Sequence, residues 1–229
     1  MPLFVNYGPD KINLRKIITI ILMLICFFAI AQKKQKDYLI SFNDTIAGKV
    51  LIGYKNLKGD VIIPARYTGY GDVDTLYDFT TVSLKDSGLL VIDRTGKHIL
   101  RPFIYDNGPD YIEEGLFRFV ENNKIGFANA KYKKVIPATF DFVTPFKNGL
   151  AEYTIGGHKV REGEHWYWSG GHEVGFINHS GQKFKKVNDL KGKQRLAWTT
   201  SNKQVLLDSK GNIIKWYKPN LKRIETHKK

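Results

Sequence analysis

The sequence predicts an all-β protein of tandem three-stranded antiparallel β-meanders, stacked in a curved array that is solenoid-like or an incomplete propeller. Three observations carry this: aromatic enrichment, a recurring apolar-Gly-aromatic opening, and turn glycines at a fixed distance after it. The chain holds 14 Phe, 12 Tyr and 4 Trp, and aromatic side chains suit the pleated, half-buried surface of a strand better than a helix. At 42% hydrophobic over 229 residues, the composition is that of a folded domain with a core. A single cysteine, Cys26, excludes a disulfide framework and a cysteine-based zinc site, so packing must hold the fold.

Residues 124–150, KIGFANAKYKKVIPATFDFVTPFKNGL, give the clearest copy of the unit. Its opening, Ile125-Gly126-Phe127, matches Ile52-Gly53-Tyr54 and Val174-Gly175-Phe176; Leu89-Leu90-Val91 and Gln204-Val205-Leu206 are degenerate versions. Six residues past the aligned position stands Gly59, Gly96, Gly181 or Gly211, and the copy at 126 departs with Tyr132. Polar-x-x-Gly between two apolar runs is hairpin chemistry, because the last turn position needs φ > 0. A short run closed by proline follows, at Pro64, Pro102 and Pro137, with an aromatic three residues on at Tyr67, Tyr105 and Phe140. Proline cannot donate to a ladder, which predicts that each strand ends or bends there and leaves its hairpin. A third run opens on Gly-Leu, GLFRFV from Gly115 and GLAEYTI from Gly149, with TTVSLK from Thr80 as the degenerate form. Alternation over Leu116, Phe117, Arg118 and Phe119 predicts a half-buried strand.

Aligned in this way, the units run over about 50–87, 88–123, 124–171, 172–195 and 196–218, the last capping the array. Residues 32–49 lead into the first unit. The spacing from Gly126 to Gly175 is longer than the others, which predicts an insertion at 156–171. The repeated order G-[FY]-x-[ND]-x-x-G-[KD], V-I-P, [YF]-D and F-x-x-G-L-A resembles the WG repeat family, with Ile52, Ile125 and Val174 where that family usually has Trp. The resemblance covers about 50–186 well and 187–214 poorly. It implies a β-repeat fold; family members are widespread in bacteria, often exported, and mostly of unassigned biochemistry.

Residues 17–31, IITIILMLICFFAIA, form an uncharged apolar run preceded by Lys11, Arg15 and Lys16 and closed by Ala29-Ile30-Ala31. These are the parts of a secretory signal peptide occupying 1–31, with cleavage expected after Ala31; an uncleaved anchor is the alternative. Export places the protein in the periplasm or outside the cell. Residues 1–10 are either an extension of the leader or an early start. The formal charge is +14, with basic residues crowding the start of the mature chain and the tail at 219–229. No stacking or groove-reading motif accompanies them, so they read as solvated ends and nucleic acid is not an expected partner. Weak contact with a membrane surface stays open.

Motifs for a nucleophilic serine, a zinc hydrolase or a phosphate cradle are absent, and no cofactor is expected. Asp93, Asp106 and Asp141 occupy turn or post-proline positions and read as backbone caps. The insertion holds the suggestive side chains. His158, His165, His172 and His179 recur at every seventh residue among Glu162, Glu164 and Glu173. A hairpin could gather His158, His165 and His172 on a divalent cation, but the odd spacing and lack of a tight ligand pair favour an exposed loop. Trp166 and Trp168 flank Tyr167 and share one face of an extended strand. Buried, they would seal neighbouring units, which is the preferred placement; exposed, the three would form a binding site for a sugar or a partner protein. Trp198 and Trp216 read as capping residues. The expected function is an exported non-catalytic interaction module binding a protein or glycan of the bacterial cell envelope. Alternatives are a small envelope hydrolase or metal-dependent enzyme using 156–179, and a basic membrane-surface protein.

Overall fold

The computed structural model describes residues 18, 19, 21, 23, 37–68, 74–105, 107–190 and 194–218. The chain divides into Met1–Asp37 and Tyr38–Lys229. In the first part Ile18, Thr19, Ile21 and Met23 are helical and exposed. No helix of the described residues is long and apolar enough to cross a membrane. The expected cleavage point after Ala31, Cys26, Asp106 and the basic tail at 219–229 lie outside the described residues.

Tyr38–Lys229 is built from three-stranded antiparallel meanders. The first is β1 (Leu39–Ile46), β2 (Lys49–Lys55) and β3 (Val61–Tyr67), with the short β4 (Thr75–Leu76) against β1. The second is β5 (Phe79–Leu84), β6 (Gly88–Asp93) and β7 (His98–Pro102), followed by a small ribbon, β8 (Ile104–Tyr105) and β9 (Gly108–Pro109). The third is β10 (Leu116–Glu121), β11 (Lys124–Asn129) and β12 (Lys134–Phe140), continued by β13 (Phe142–Val143). In the fourth, β14 (Leu150–Ile155) is separated by a ribbon, β15 (His158–Glu162) and β16 (His165–Ser169), from β17 (Glu173–Asn178) and β18 (Lys183–Asp189). The fifth is β19 (Arg195–Thr199), β20 (Gln204–Leu207) and β21 (Ile213–Trp216). The last strand of each unit, or its continuation, meets the first strand of the next: Thr68 opposite Ser83, Pro102 opposite Phe119, Phe142 opposite Thr154 and Phe184 opposite Thr199. None of the sheets closes into a barrel.

One turn joins the second and third strands of every unit. The side-chain oxygen of Asn56, Asp93, Asn129, Asn178 or Asp208 accepts the backbone N–H groups two and four residues on, at 2.8–3.2 Å. The N–H three residues on donates to the backbone carbonyl of the same Asn or Asp. That donor has positive φ at Gly59, Gly96, Gly181 and Gly211, and Tyr132 adopts φ 57° in the copy without glycine. Tyr132 is held there by Phe79 and Phe117, whose rings lie 5.3 and 5.6 Å from its own.

The cores lie between units, as a quasi-one-dimensional array requires. Leu39, Ile63, Tyr67 and Ile92 join the first two; Val91, Phe117 and Phe119 join the second and third. Phe127, Phe140, Val143 and Tyr153 join the third and fourth, and Phe184, Ala197 and Val205 the last two.

Four expectations are corrected. The hydrogen-bonded unit is offset from the aligned one: the Gly-Leu strand comes first in its meander, and β1 makes the first unit begin at Leu39, inside the presumed lead-in. Strand β7 ends at Pro102 as expected, but β3 and β12 run on through Pro64 and Pro137, because register shifts opposite Gly53 and Gly126 absorb the proline in a bulge that bends the strand. Strand β10 is not half-buried; Leu116, Phe117, Arg118 and Phe119 are all buried, since both its faces are covered. Trp216 is exposed on the edge strand β21.

Several turn and linker carboxylates titrate below their ordinary range. At Asp141 the Lys124 ammonium, 2.6 Å away, and the Gly156 N–H outweigh burial. At Glu173 the Lys183 ammonium and the Tyr153 hydroxyl do the same. Burial pushes Asp93 and Asp208 up, but the turn's own donors overcome it, the Thr95 hydroxyl and N–H groups in one case and Asn212 and Lys210 in the other. The folded values lie below the ordinary 3.8 and 4.5 of the unfolded chain. Their stabilisation is therefore complete above about pH 4.5 and is lost as pH falls through the depressed values. Thermal melts should show stability declining below about pH 4.5, and D141N should flatten part of that decline.

Candidate functional site

Strand β14 sorts its side chains between two faces. Ala151 and Tyr153 point into the core with the third unit, whereas Glu152 and Thr154 alternate to the other side. Cross-strand pairing puts Phe142 beside Thr154 and Phe176 beside Glu152 on that second face. It forms the floor of a groove.

The inserted residues supply one wall. Strands β14 and β17 remain direct neighbours, with 156–171 looped out between them as the β15–β16 ribbon. Its neck is glycine because nothing larger fits: a Cβ on Gly157 would stand 2.6 Å from the Ser169 carbonyl oxygen, and one on Gly171 2.5 Å from the Thr154 methyl. Asp141 accepts the Gly156 N–H at 2.7 Å, and the Gly156 carbonyl accepts the Trp168 indole N–H at 2.9 Å. The ribbon is thus tied to the chain beside Phe142. The Trp168 ring stacks on Phe142 at 5.9 Å with 10° between planes, and Trp166 meets the same ring edge-on at 6.0 Å.

The preference for burying the tryptophans is overturned. Trp166 and Tyr167 are 38% and 50% exposed, and Trp168 is half-buried. Period-two geometry does place Trp166 and Trp168 on one face, with Lys159 and Arg161 opposite them on β15. The histidines do not converge. His158 and His165 stand on the two ribbon strands, His172 lies beyond the neck, and His179 packs on Phe146 at 4.1 Å, its Nε2 3.4 Å from Glu114. Among the described residues no three His, Cys, Asp or Glu side chains are arranged to hold a metal.

The groove comprises two adjoining depressions of about 850 and 880 Å³ that share Tyr105, Thr144 and Glu152. The first contains the Phe142–Trp166–Trp168 corner. The second lies over a buried ion pair: Arg118 Nε and Nη2 donate to the two Asp110 carboxylate oxygens at 2.8 and 2.7 Å, and Nη1 donates to the Val143 carbonyl at 3.0 Å. Beyond it, Arg195 binds the carbonyls of Asn148, Asp208 and Ser209, fastening the fifth unit to the corner where Gly149 touches Lys210 and Gly211. Tyr105, the repeat aromatic three residues past Pro102, is 51% exposed and lines both depressions, its ring 6.1 Å from that of Tyr111. The extra ribbon β8–β9 after Pro102 carries it out of the core.

Fold and groove together define a β-repeat protein with an aromatic-lined depression on its fourth unit. The family model described as WG containing repeat matches residues 52–75, 91–124 and 125–157, which supports a WG-repeat protein over these stretches. The ribbon strands at 158–169 fall outside the matched stretches. No curated protein matches the chain.

Proposed function

We propose that this WG-repeat protein is an exported, non-catalytic interaction module of the bacterial cell envelope, binding a protein or glycan of that compartment in the groove between its fourth unit and the β15–β16 ribbon. The observation that carries the reading is the aromatic corner of exposed Trp166 and half-buried Phe142 and Trp168 at a depression of about 850 Å³. Large flat side chains left open at a concave surface gain most when a partner covers them, which is why Trp and Tyr dominate binding hot spots. The repeats supply scaffold, and the inserted ribbon supplies what the scaffold lacks. Export is supported by the basic, apolar and small-residue order of 11–31.

Capture of envelope components on immobilised mature protein tests the reading. The double variant W166A/W168A, confirmed as folded by its far-ultraviolet spectrum and melting curve, should lose roughly ten-fold or more of the capture. Undiminished capture by the folded variant overturns the groove as the binding site. A mature N-terminus at Gln32 is the expected result of sequencing the exported protein.

A further inference from the structure

From the charge of the groove we infer that it selects a basic polypeptide segment, seating a lysine or arginine side chain against the aromatic corner. This rests on the groove being the binding surface and names the chemistry of its occupant. The chain has 36 Lys and Arg against 22 Asp and Glu. The depression holding Trp166 and Trp168 runs against that balance. Its charged liners are the carboxylates Glu152 and Glu164, while Lys159 and Arg161 stand opposite the tryptophans on β15 at its edge. Both carboxylates are exposed and make no ion pair among the described residues.

Carboxylates beside aromatic faces are the chemistry that receives an ammonium or guanidinium: the ring quadrupole attracts the cation, and the carboxylate fixes it. The corner already shows this preference, for the Lys159 ammonium lies 4.1 Å from the Trp166 ring centre. Arg118 stands likewise 4.3 Å from the Phe103 ring while bound by Asp110. A neutral glycan would use the rings but would leave the two carboxylates without a counter-charge. The depression continues past Glu152 and Thr144 into its neighbour over Tyr111, which gives the backbone of an extended segment a path.

The overall positive charge makes the test stringent, because the protein as a whole repels a cationic peptide. The mature protein is titrated with a blocked, dye-labelled Lys-Gly octapeptide, its Glu-Gly counterpart, and neutral chitohexaose, following anisotropy for the peptides and tryptophan fluorescence for all three. The Lys-Gly peptide is expected to bind and to quench tryptophan fluorescence. Its affinity should fall roughly ten-fold in E152Q/E164Q, a pair of exposed substitutions that leaves the fold intact, and severalfold between low and high salt. D44N, an exposed carboxylate on the first unit, should change nothing. Absence of Lys-Gly binding, equal binding by E152Q/E164Q, or tighter binding of chitohexaose overturns the inference. If any of these occurs while capture from the envelope still depends on Trp166 and Trp168, the interaction module stands and its occupant is not a basic segment. If capture is also independent of them, the groove itself is refuted.

Discussion

Replacing Gly126 by alanine is expected to destabilise the protein by about 3 kcal/mol or more, despite adding a single carbon. Gly126 lies in the middle of β11, buried and outside the positive-φ region, so its conformational freedom is not the reason. A Cβ there would stand 2.6 Å from the Ala138 nitrogen, 2.6 Å from the Ile136 carbonyl oxygen and 2.8 Å from the Phe119 ring. Two of these three atoms are backbone and cannot swing aside. They press so close because Pro137 lacks an N–H and is taken up in the bulge of β12, which pushes the chain against β11 at that point. Glycine and proline are thus two halves of one device, and Phe119 from the neighbouring strand closes over it. Gly53 repeats the arrangement, with Ile63, Ala65 and Phe42 in the same roles. The comparison variant is G48A, in a turn with φ +73° and open space around it, where the penalty is the backbone strain alone, about 1 kcal/mol. Urea unfolding of the two variants should separate them clearly; equal midpoints would show that the bulge can relax.

The same device explains what could be read from the sequence. Gly53, Gly126, Pro64, Pro137 and the turn glycines are legible because each answers a backbone demand shared by several units, and a shared demand leaves a recurring residue. The phase of the repeat is not legible. Which neighbour the Gly-Leu strand pairs with first is decided by hydrogen bonds to the following strand, and the alignment reads the same for either choice. The groove is legible only in part. Alternation places Trp166 and Trp168 on one side of their strand, but whether that side meets core or solvent depends on where the glycine neck points the ribbon. Tyr105 is misread for a related reason: it keeps the repeat spacing from Pro102, while β8–β9 moves it from the interior to the groove. Asp110 carries no repeat signal, and Arg118 sits in an alternating run where a charged residue normally marks the solvent face.

That pair carries the second large effect. Arg118 and Asp110 have side chains only 4% and 2% exposed, and together they tie three segments. Asp110 closes the ribbon after β9, Arg118 belongs to β10, and its Nη1 reaches the Val143 carbonyl on β13. Asp110 also accepts the Arg118 backbone N–H at 2.9 Å, so both its oxygens are engaged. Removing the carboxylate leaves a guanidinium inside the protein with its main counter-charge gone, because a buried cation keeps its desolvation penalty when its partner is deleted. D110A should therefore lower stability by about 3–5 kcal/mol. R118M leaves the opposite charge behind and should lose a similar amount. The double variant D110L/R118M removes both charges together and should recover most of the stability, since a buried ion pair replaced by apolar groups of similar volume is near neutral. A double-mutant cycle by urea unfolding gives the coupling directly, and additive losses in the double variant would mean that the pair acts as two independent hydrogen-bonding groups. Because the pair forms the base of the second depression, the recovered double variant also isolates the groove's chemistry from its architecture: it should keep the Trp166–Trp168 corner, and with it binding of the Lys-Gly peptide, close to that of the unaltered protein.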